Sequence, residues 1–321
     1  MERYQRQTML PEIGPQGQQR LHAARVLVVG AGGLGATLLP QLAGAGVGYL
    51  RVCDDDHVAL HNLHRQTLFT EQQVGQPKVT CAQQALRQRN SAVQIDAVRL
   101  AVGASRLPTL LLDIDLVIDA ADNFAVTYSL SDSCYRARIP LISASVLGRQ
   151  GYVGGFCGGA PSYRAVFPAL PRVAANCNTA GVMGPAVATL GGMQAQMALS
   201  VLLGLAPSPL GCVINCDFVN WHFNAFRFDA AEEPGQAVPF IDAPLLRADD
   251  CVVELRSETE APVSVTESAI RLMPHLIDAW QPPPARRIVL VCASGMRAAQ
   301  AASALAQRGC TQLAILAAGR A

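Results

Sequence analysis

The sequence lacks a strong charge of either sign: its 25 lysines and arginines are balanced by 24 aspartates and glutamates, a formal net charge of +1 over 321 residues. There is no basic tail, so nothing indicates binding to nucleic acid or to an anionic membrane. Residues 1–7 lack an apolar run, so no secretory signal is visible and we expect a cytoplasmic protein. A partner must therefore be recognised by local features.

The chain also lacks the regular cysteine spacing of a disulfide framework, although it contains ten cysteines. We expect most of them to be small core residues. One apolar segment, residues 182–206, is long enough to span a bilayer. It contains Gln194 and Gln196, which would be costly in lipid. We therefore expect a buried core helix or a dimer helix here, with a membrane span as the alternative.

What is present is an alternation of apolar strand-like runs with helical patterns, typical of a doubly wound α/β sheet. Strands are predicted at residues 26–29, 49–53, 93–98, 116–120 and 140–145, and helices at 36–45, 78–89 and 126–138. The length favours two domains, and the 50% hydrophobic composition can supply two cores.

A change of composition marks the expected boundary between these domains. The sequence EEPG at residues 232–235 is typical of a surface linker. We predict a Rossmann-like domain at 1–230, a linker at 231–240 and a small α/β domain at 241–321. The second domain is expected to contain strands at 252–255 and 288–291 and a helix at 296–308.

The apolar residues 26–29 are followed by a glycine-rich loop that fits GxGxxG, formed by Gly30, Gly32, Gly33 and Gly35. Such a loop lets backbone N–H groups approach a phosphate at the N-terminus of a helix. Asp54 follows the next strand, where an acidic side chain binds ribose in Rossmann units. The pattern predicts a nucleotide site, although many dehydrogenases share the loop.

Three further polar residues favour phosphoryl chemistry over hydride transfer. Asn62, Arg65 and Lys78 would place amide and cationic groups near the phosphates, where a hydride-transfer enzyme has no particular need of them. An NAD-dependent oxidoreductase would use the same glycine loop and Asp54. That alternative leaves Arg65 and Lys78 unexplained.

Several motifs in order resemble the ThiF/MoeB/HesA family, bacterial relatives of the ubiquitin-activating enzymes. They are RYQRQ at 3–7, the glycine loop, DDD at 54–56, NLHRQ at 62–66, GQPK at 75–78 and DAADN at 119–123. The resemblance implies a homodimeric adenylyltransferase of the ubiquitin-activating fold. It would use ATP and Mg²⁺ to adenylate the C-terminal glycine of a ubiquitin-like sulfur carrier protein that ends in Gly-Gly.

The resemblance also assigns roles to individual residues. Asp54 would bind ribose, Asn62 would bind phosphate, and Arg65 and Lys78 would neutralise charge on the triphosphate. Asp122 would hold magnesium, and Arg6 would reach the site of the neighbouring subunit. The alternatives are that Asp122 is only a helix N-cap and that the two cations are only solvated surface residues.

A second chemical feature is the sequence CASGMRA at residues 292–298, which follows a predicted strand and opens a helix. Inward-pointing amides and an arginine within this loop should stabilise the thiolate of Cys292, which could then carry a persulfide. The loop resembles the active loop of a rhodanese, and residues 313–319 resemble that domain's closing strand and glycine turn. The alternative is a buried cysteine at a strand end.

Two other positions are informative only through the resemblance. Cys177 aligns with a cysteine on a crossover loop that can link covalently to the carrier. Family members often hold a structural zinc in two CxxC pairs, but the first position here is SYRA at residues 162–165. Cys212 and Cys216 form CxxxC and lie before the expected second pair, so we predict no structural zinc.

These patterns predict an adenylyltransferase joined to a rhodanese-like sulfurtransferase. The carrier's carboxylate would be adenylated and then opened by a persulfide on Cys292, loaded by a persulfide donor, to give a thiocarboxylate. The alternative from another class is a non-catalytic scaffold that binds nucleotide and a ubiquitin-like partner.

Overall fold

A computed structural model describes residues 2–170 and 181–319. The larger of its two sheets has eight strands: β1 Arg25–Val29, β2 Tyr49–Cys53, β3 Gln94–Val98, β4 Leu116–Asp119, β5 Pro140–Leu147, β6 Gln150–Cys157, β7 Cys212–Asp217 and β8 His222–Arg227. Their order is β3-β2-β1-β4-β5-β6-β7-β8. The first five in this order are parallel, and β6, β7 and β8 continue the sheet antiparallel.

Helices cover this sheet in the manner of a doubly wound fold. They are α1 Gln5–Thr8, α2 Gly14–Ala23, α3 Gly33–Ala45, α4 Lys78–Arg89, α5 Leu107–Leu110, α6 Phe124–Ala137, α7 Tyr163–Val166 and α8 Gly184–Leu203. The predicted α/β fold is confirmed, and strand β2 and helix α4 begin and end at the predicted residues. The sequence did not predict the three antiparallel strands.

Helix α8 contains the long apolar segment and, by length and composition alone, is the one helix in the described ranges that could cross a membrane. It packs tightly on α3, since a Cβ added to Gly191 would lie 2.9 Å from the Leu34 carbonyl oxygen. Gln194 is fully buried and donates to the Asp119 carbonyl oxygen at 2.7 Å. These contacts are those of a core helix, as expected.

The second sheet has five parallel strands in the order β11-β10-β12-β13-β9. They are β9 Phe240–Ile241, β10 Cys251–Glu254, β11 Ile270–Arg271, β12 Ile288–Cys292 and β13 Leu313–Ala317, with helix α9 at Met296–Gln307. Phe240, the last residue of the predicted linker, is thus part of a strand. Short 3-10 helices lie at Glu2–Tyr4, Leu60–Asn62, Glu71–Gln73, Ala243–Leu245 and Pro274–Leu276.

The two sheets share a hydrophobic core on the α6 side of the larger sheet. Leu27 and Tyr128 belong to the same buried cluster as Phe240 and Leu290. Polar contacts accompany this packing, since Asp242 accepts hydrogen bonds from the backbone N–H of Ser105 at 3.1 Å and from its hydroxyl at 2.5 Å. The nine cysteines in the described ranges are free, and seven are buried.

Candidate functional site

The glycine loop lies between β1 and α3 and is held close to the neighbouring strand. Gly30 has a φ of 103°, and a Cβ there would lie 2.5 Å from the Ala120 carbonyl oxygen. A Cβ on Gly35 would collide with the Gly30 carbonyl oxygen. Helix α3 begins at Gly33, three residues earlier than predicted, with Gly32 as its N-cap. The first-turn amides of α3 are of the kind that can bind an anion.

Asp54 follows β2 and is fixed against this loop. Its Oδ2 accepts a hydrogen bond from the Ala31 N–H at 2.7 Å, and its Oδ1 accepts one from the Asp56 N–H at 2.9 Å. The carboxylate thus lies beside the glycine loop, at the strand end where a ribose ligand is expected.

Lys78 opens helix α4 with its side chain only 5% exposed, so the surface-cation alternative is wrong for this residue. Its Nζ lies 2.5 Å from Oδ2 of Asp56, which is 64% exposed. Burial raises the pKa of Asp56, but the hydrogen bond from Lys78 outweighs it and holds the pKa below its usual range. Sequence reasoning missed this partner, although Asp56 belongs to the acidic cluster at 54–56.

Arg65 and the buried side-chain amide of Gln66 lie close to the glycines of the loop. A Cβ on Gly33 would lie 3.5 Å from Cγ of Arg65, and one on Gly32 would lie 3.8 Å from Nε2 of Gln66. Asn62 and Gln66 are 7% and 2% exposed, and their side-chain carbonyl oxygens accept no hydrogen bond from the described part of the chain. Unpaired buried acceptors are rare and typical of a site that binds water or a polar ligand. Gln66 was not predicted; its place next to Arg65 was the available signal.

The carboxyl end of β4 carries two aspartates in different environments. Asp119 is 1% exposed and accepts hydrogen bonds from the Thr127 hydroxyl at 2.7 Å and the Ser143 hydroxyl at 2.8 Å. Burial raises the pKa of Asp119 to about 6. Asp122 is exposed, and the N-cap of α6 is Asn123, whose side chain accepts from the Ala125 N–H. The N-cap alternative for Asp122 is therefore wrong.

The surroundings of Asp122 fit a magnesium ion that arrives with a nucleotide. No group of three histidine, cysteine or acidic side chains able to hold a metal occurs in residues 2–170 and 181–319. Mg²⁺ commonly keeps several waters and takes only one or two carboxylates together with phosphate oxygens. An exposed carboxylate at the edge of the phosphate loop suits that kind of coordination.

The position where family members carry the first CxxC pair of the zinc site instead holds hydrogen bonds between Ser162 and Glu233, called the clasp below. Ser162 caps α7 by accepting from the Arg164 N–H, and its own N–H and hydroxyl both donate to Glu233 at 2.6 Å. Cys212 and Cys216 lie on β7, and Cys216 is buried in the core. The absence of structural zinc stays a prediction.

Cys292 ends β12 and is 1% exposed. Its Sγ accepts hydrogen bonds from the N–H of Gly295 at 3.1 Å and of Ala298 at 3.4 Å, which is the predicted arrangement of inward-pointing amides. The buried-cysteine alternative describes its burial equally well. Arg297 points to Glu260, with two N–O distances of 2.8 Å, and this hydrogen bonding raises the pKa of the arginine.

Two predicted residues lie apart from these clusters. Arg6 is exposed on α1, and its predicted target belongs to a neighbouring subunit. Cys177 lies outside the described residues. The structure therefore brings the other predicted residues together around the carboxyl ends of the parallel strands of the larger sheet: Gly30, Gly32, Gly33, Gly35, Asp54, Asn62, Arg65, Lys78 and Asp122. It places Cys292 at the carboxyl end of β12, the middle strand of the other sheet.

Comparison with characterised proteins gives relatives for most of the chain. It is 43% identical over 228 residues to "Adenylyltransferase and sulfurtransferase MOCS3" of Bos taurus, covering 70% of this chain and 50% of the relative. It is 38% identical to "Sulfur carrier protein adenylyltransferase" of Thermus thermophilus, covering 70% of this chain and 85% of the relative. It is 37% identical to "Molybdopterin-synthase adenylyltransferase" of Escherichia coli, covering 71% of this chain and 92% of the relative. The chain spans about half the length of the MOCS3 relatives.

Solved structures support the fold. The structure of E. coli MccB with ATP has a TM-score of 0.63 at 21% identity and covers 73% of both chains. The structure of PaaA gives a TM-score of 0.61 at 22% identity, covering 71% of this chain and 73% of PaaA. The ThiF family profile matches residues 4–238, nearly three quarters of the sequence. The chain is therefore a member of the ThiF family.

Proposed function

We propose that the protein adenylates the C-terminal glycine of a ubiquitin-like sulfur carrier and passes sulfur to it. The observation that carries the first part is the grouping of Asp54, Arg65 and Lys78 around the open N-terminus of α3. A carboxylate for ribose and two cations beside an amide cradle suit a nucleoside triphosphate. Three relatives named for adenylyl transfer, two of them on sulfur carriers or molybdopterin synthase, support the same reaction.

In this reaction a carboxylate oxygen of the carrier attacks the α-phosphorus of ATP, and the bond from that phosphorus to the pyrophosphate oxygen breaks. Arg65 and Lys78 stabilise the negative charge that develops on the phosphates. Asn62 donates a hydrogen bond to phosphate, and Arg6 reaches the active site from the second subunit of a homodimer. Asp122 would hold Mg²⁺, which supplies charge neutralisation on the phosphate oxygens when bound.

The second part assigns sulfur transfer to Cys292. The terminal sulfur of a persulfide on Cys292 attacks the acyl carbon of the adenylate, AMP leaves, and an acyl disulfide forms. An external thiol cleaves that disulfide, releasing the thiocarboxylate and leaving its own disulfide with Cys292, which a second external thiol reduces. The amides that face Cys292 Sγ and the sulfurtransferase name of the MOCS3 relatives support this role. We assign to Cys177 a covalent link with the carrier.

Pyrophosphate exchange into ATP, driven by a purified ubiquitin-like protein ending in Gly-Gly, tests the first part. Arg65→Ala and Asp122→Ala should lower the exchange rate by roughly 100-fold or more, because charge-stabilising groups in active sites contribute that much. Arg87→Ala, an exposed arginine on α4, is the matched control and should keep the wild-type rate. A wild-type protein without exchange would instead favour the scaffold alternative.

A further inference from the structure

The ring of Phe240 lies against the Cys292 loop. Phe240 belongs to β9 and is 4% exposed. Gly295, in the middle of the loop, has a φ of 84°, and a Cβ there would lie 2.6 Å from Cε1 of Phe240. The ring therefore occupies the space beside Gly295, and the left-handed backbone conformation also favours glycine at this position.

Of the two amides that donate to the sulfur, that of Gly295 lies closer. Its N–H donates to Cys292 Sγ at 3.1 Å, and the Ala298 N–H, in the first turn of α9, donates at 3.4 Å. A rotation of the backbone at Gly295 would turn its N–H away from the sulfur. The Phe240 ring packs directly against this glycine and leaves no room for a methyl group there.

The Phe240 ring also packs against helix α6 of the larger sheet. Its centroid lies 5.8 Å from that of Tyr128 on α6. Tyr128 is 1% exposed, and its hydroxyl donates to the Phe167 carbonyl oxygen, at the end of α7, at 2.8 Å. Phe240 and Tyr128 thus connect the Cys292 loop to α6 and, through the Tyr128 hydroxyl, to the end of α7.

We propose that Phe240 is a positioning residue for Cys292: it holds the loop amides on the sulfur and anchors that loop to the adenylating domain. The inference rests on the proposed role of Cys292 in sulfur transfer. It gives the residues that join the two sheets a function in the second step of the reaction, separate from nucleotide binding.

Hydrogen exchange of the full-length protein tests the positioning directly, without any assumption about activity. In Phe240→Leu the Gly295 and Ala298 amides should exchange at least tenfold faster than in the wild type. Phe228→Leu is the matched control and should leave both amides as protected as in the wild type. Phe228 is also buried, and its ring centroid lies 5.3 Å from that of Phe156 in the same core. Unchanged protection of both amides in Phe240→Leu would overturn the proposal.

A second measurement uses sulfur transfer from thiosulfate to cyanide. Cys292 thiolate takes the outer sulfur of thiosulfate and releases sulfite, and cyanide then removes that sulfur as thiocyanate, which restores the thiolate. Phe240→Leu should lower kcat at least tenfold with little change in the KM for thiosulfate. Carrier-dependent pyrophosphate exchange should stay within twofold of wild type, which also shows that the variant is folded.

A double-mutant cycle identifies the contact. Gly295→Ala should reduce the transfer rate less in the Phe240→Leu background than in the wild type, because the methyl group then no longer meets the ring. Additive effects would overturn the proposal. Wild-type protein that exchanges pyrophosphate but transfers no sulfur would overturn the role of Cys292 and this inference with it, while leaving adenylation in place.

Discussion

Lys78 Nζ and Asp56 Oδ2 form a 2.5 Å ion pair at the edge of the larger sheet. The lysine assigned to the triphosphate thus already has a partner of opposite charge. Asp56 is 64% exposed whereas the lysine is almost fully buried, so the carboxylate is the member that can swing into solvent. If Lys78 binds the triphosphate as proposed, the phosphate oxygens compete with Asp56 for the same ammonium group.

Asp56→Asn should therefore tighten ATP binding severalfold and lower the free energy of unfolding by about 1 kcal/mol, a modest loss because the carboxylate is solvent-screened. Calorimetric titration with ATP and Mg²⁺ and thermal unfolding measure the two effects. Asp55→Asn, an exposed neighbour, is the control and should change neither. Weaker ATP binding in Asp56→Asn would mean that Asp56 assists the nucleotide.

Asp119 should make stability depend on pH. Its pKa is about 6 in the folded protein against an ordinary value of 3.8, so the folded state binds more protons between about pH 4 and 6. The free energy of unfolding therefore falls as pH rises through this window, by about 3 kcal/mol, and is level above it. Asp119→Asn should remove that fall in chemical denaturation series. An unchanged slope in the variant would show that another group titrates.

Two glycines of α3 should respond oppositely to alanine. At Gly33 the added Cβ would lie 2.7 Å from Val187 Cγ1 on α8, so Gly33→Ala should shift the first turn of α3 and weaken ATP binding at least tenfold. At Gly44 nothing lies within 4 Å, and Gly44→Ala should raise stability by about 0.5–1 kcal/mol. Equal ATP affinity in both variants would contradict the proposed role of the first turn of α3 in nucleotide binding.

The clasp between Ser162 and Glu233 should stabilise the fold without metal. Ser162→Ala removes the hydroxyl that caps α7 and donates to Glu233, and should lower the free energy of unfolding by about 1–2 kcal/mol. A chelator should leave the wild-type unfolding temperature unchanged. Stoichiometric zinc in elemental analysis of the purified protein would refute this prediction.

Local pattern was sufficient for the parallel part of the fold. Buried apolar runs and turn glycines specify elements such as β2 at Tyr49–Cys53, and apolar spacing specifies α4 at Lys78–Arg89. Strand β8 was not predicted because all six of its residues are exposed, which removes the alternation that marks a half-buried strand. Glycines 151, 154 and 155 likewise weaken the strand signal of β6.

The site was predicted as a set of residues but not as a set of contacts. The glycine loop and Asp54 follow from local spacing, since each directly follows a strand of one parallel sheet. The Lys78–Asp56 pair and the Phe240–Gly295 contact join residues 22 and 55 positions apart in sequence. Such pairings depend on how the elements pack, which no local pattern encodes.

In the proposed reaction, the carrier is adenylated at the larger sheet before sulfur is transferred to it at Cys292 on the smaller sheet. Intact-mass analysis of a Gly-Gly-ended carrier after incubation with ATP, Mg²⁺ and a persulfide donor tests it most directly. Wild-type protein should convert the carrier to its thiocarboxylate, whereas Cys292→Ala should accumulate only the acyl-adenylate. Thiocarboxylate formation by Cys292→Ala, or absence of the acyl-adenylate in that variant, would contradict the account.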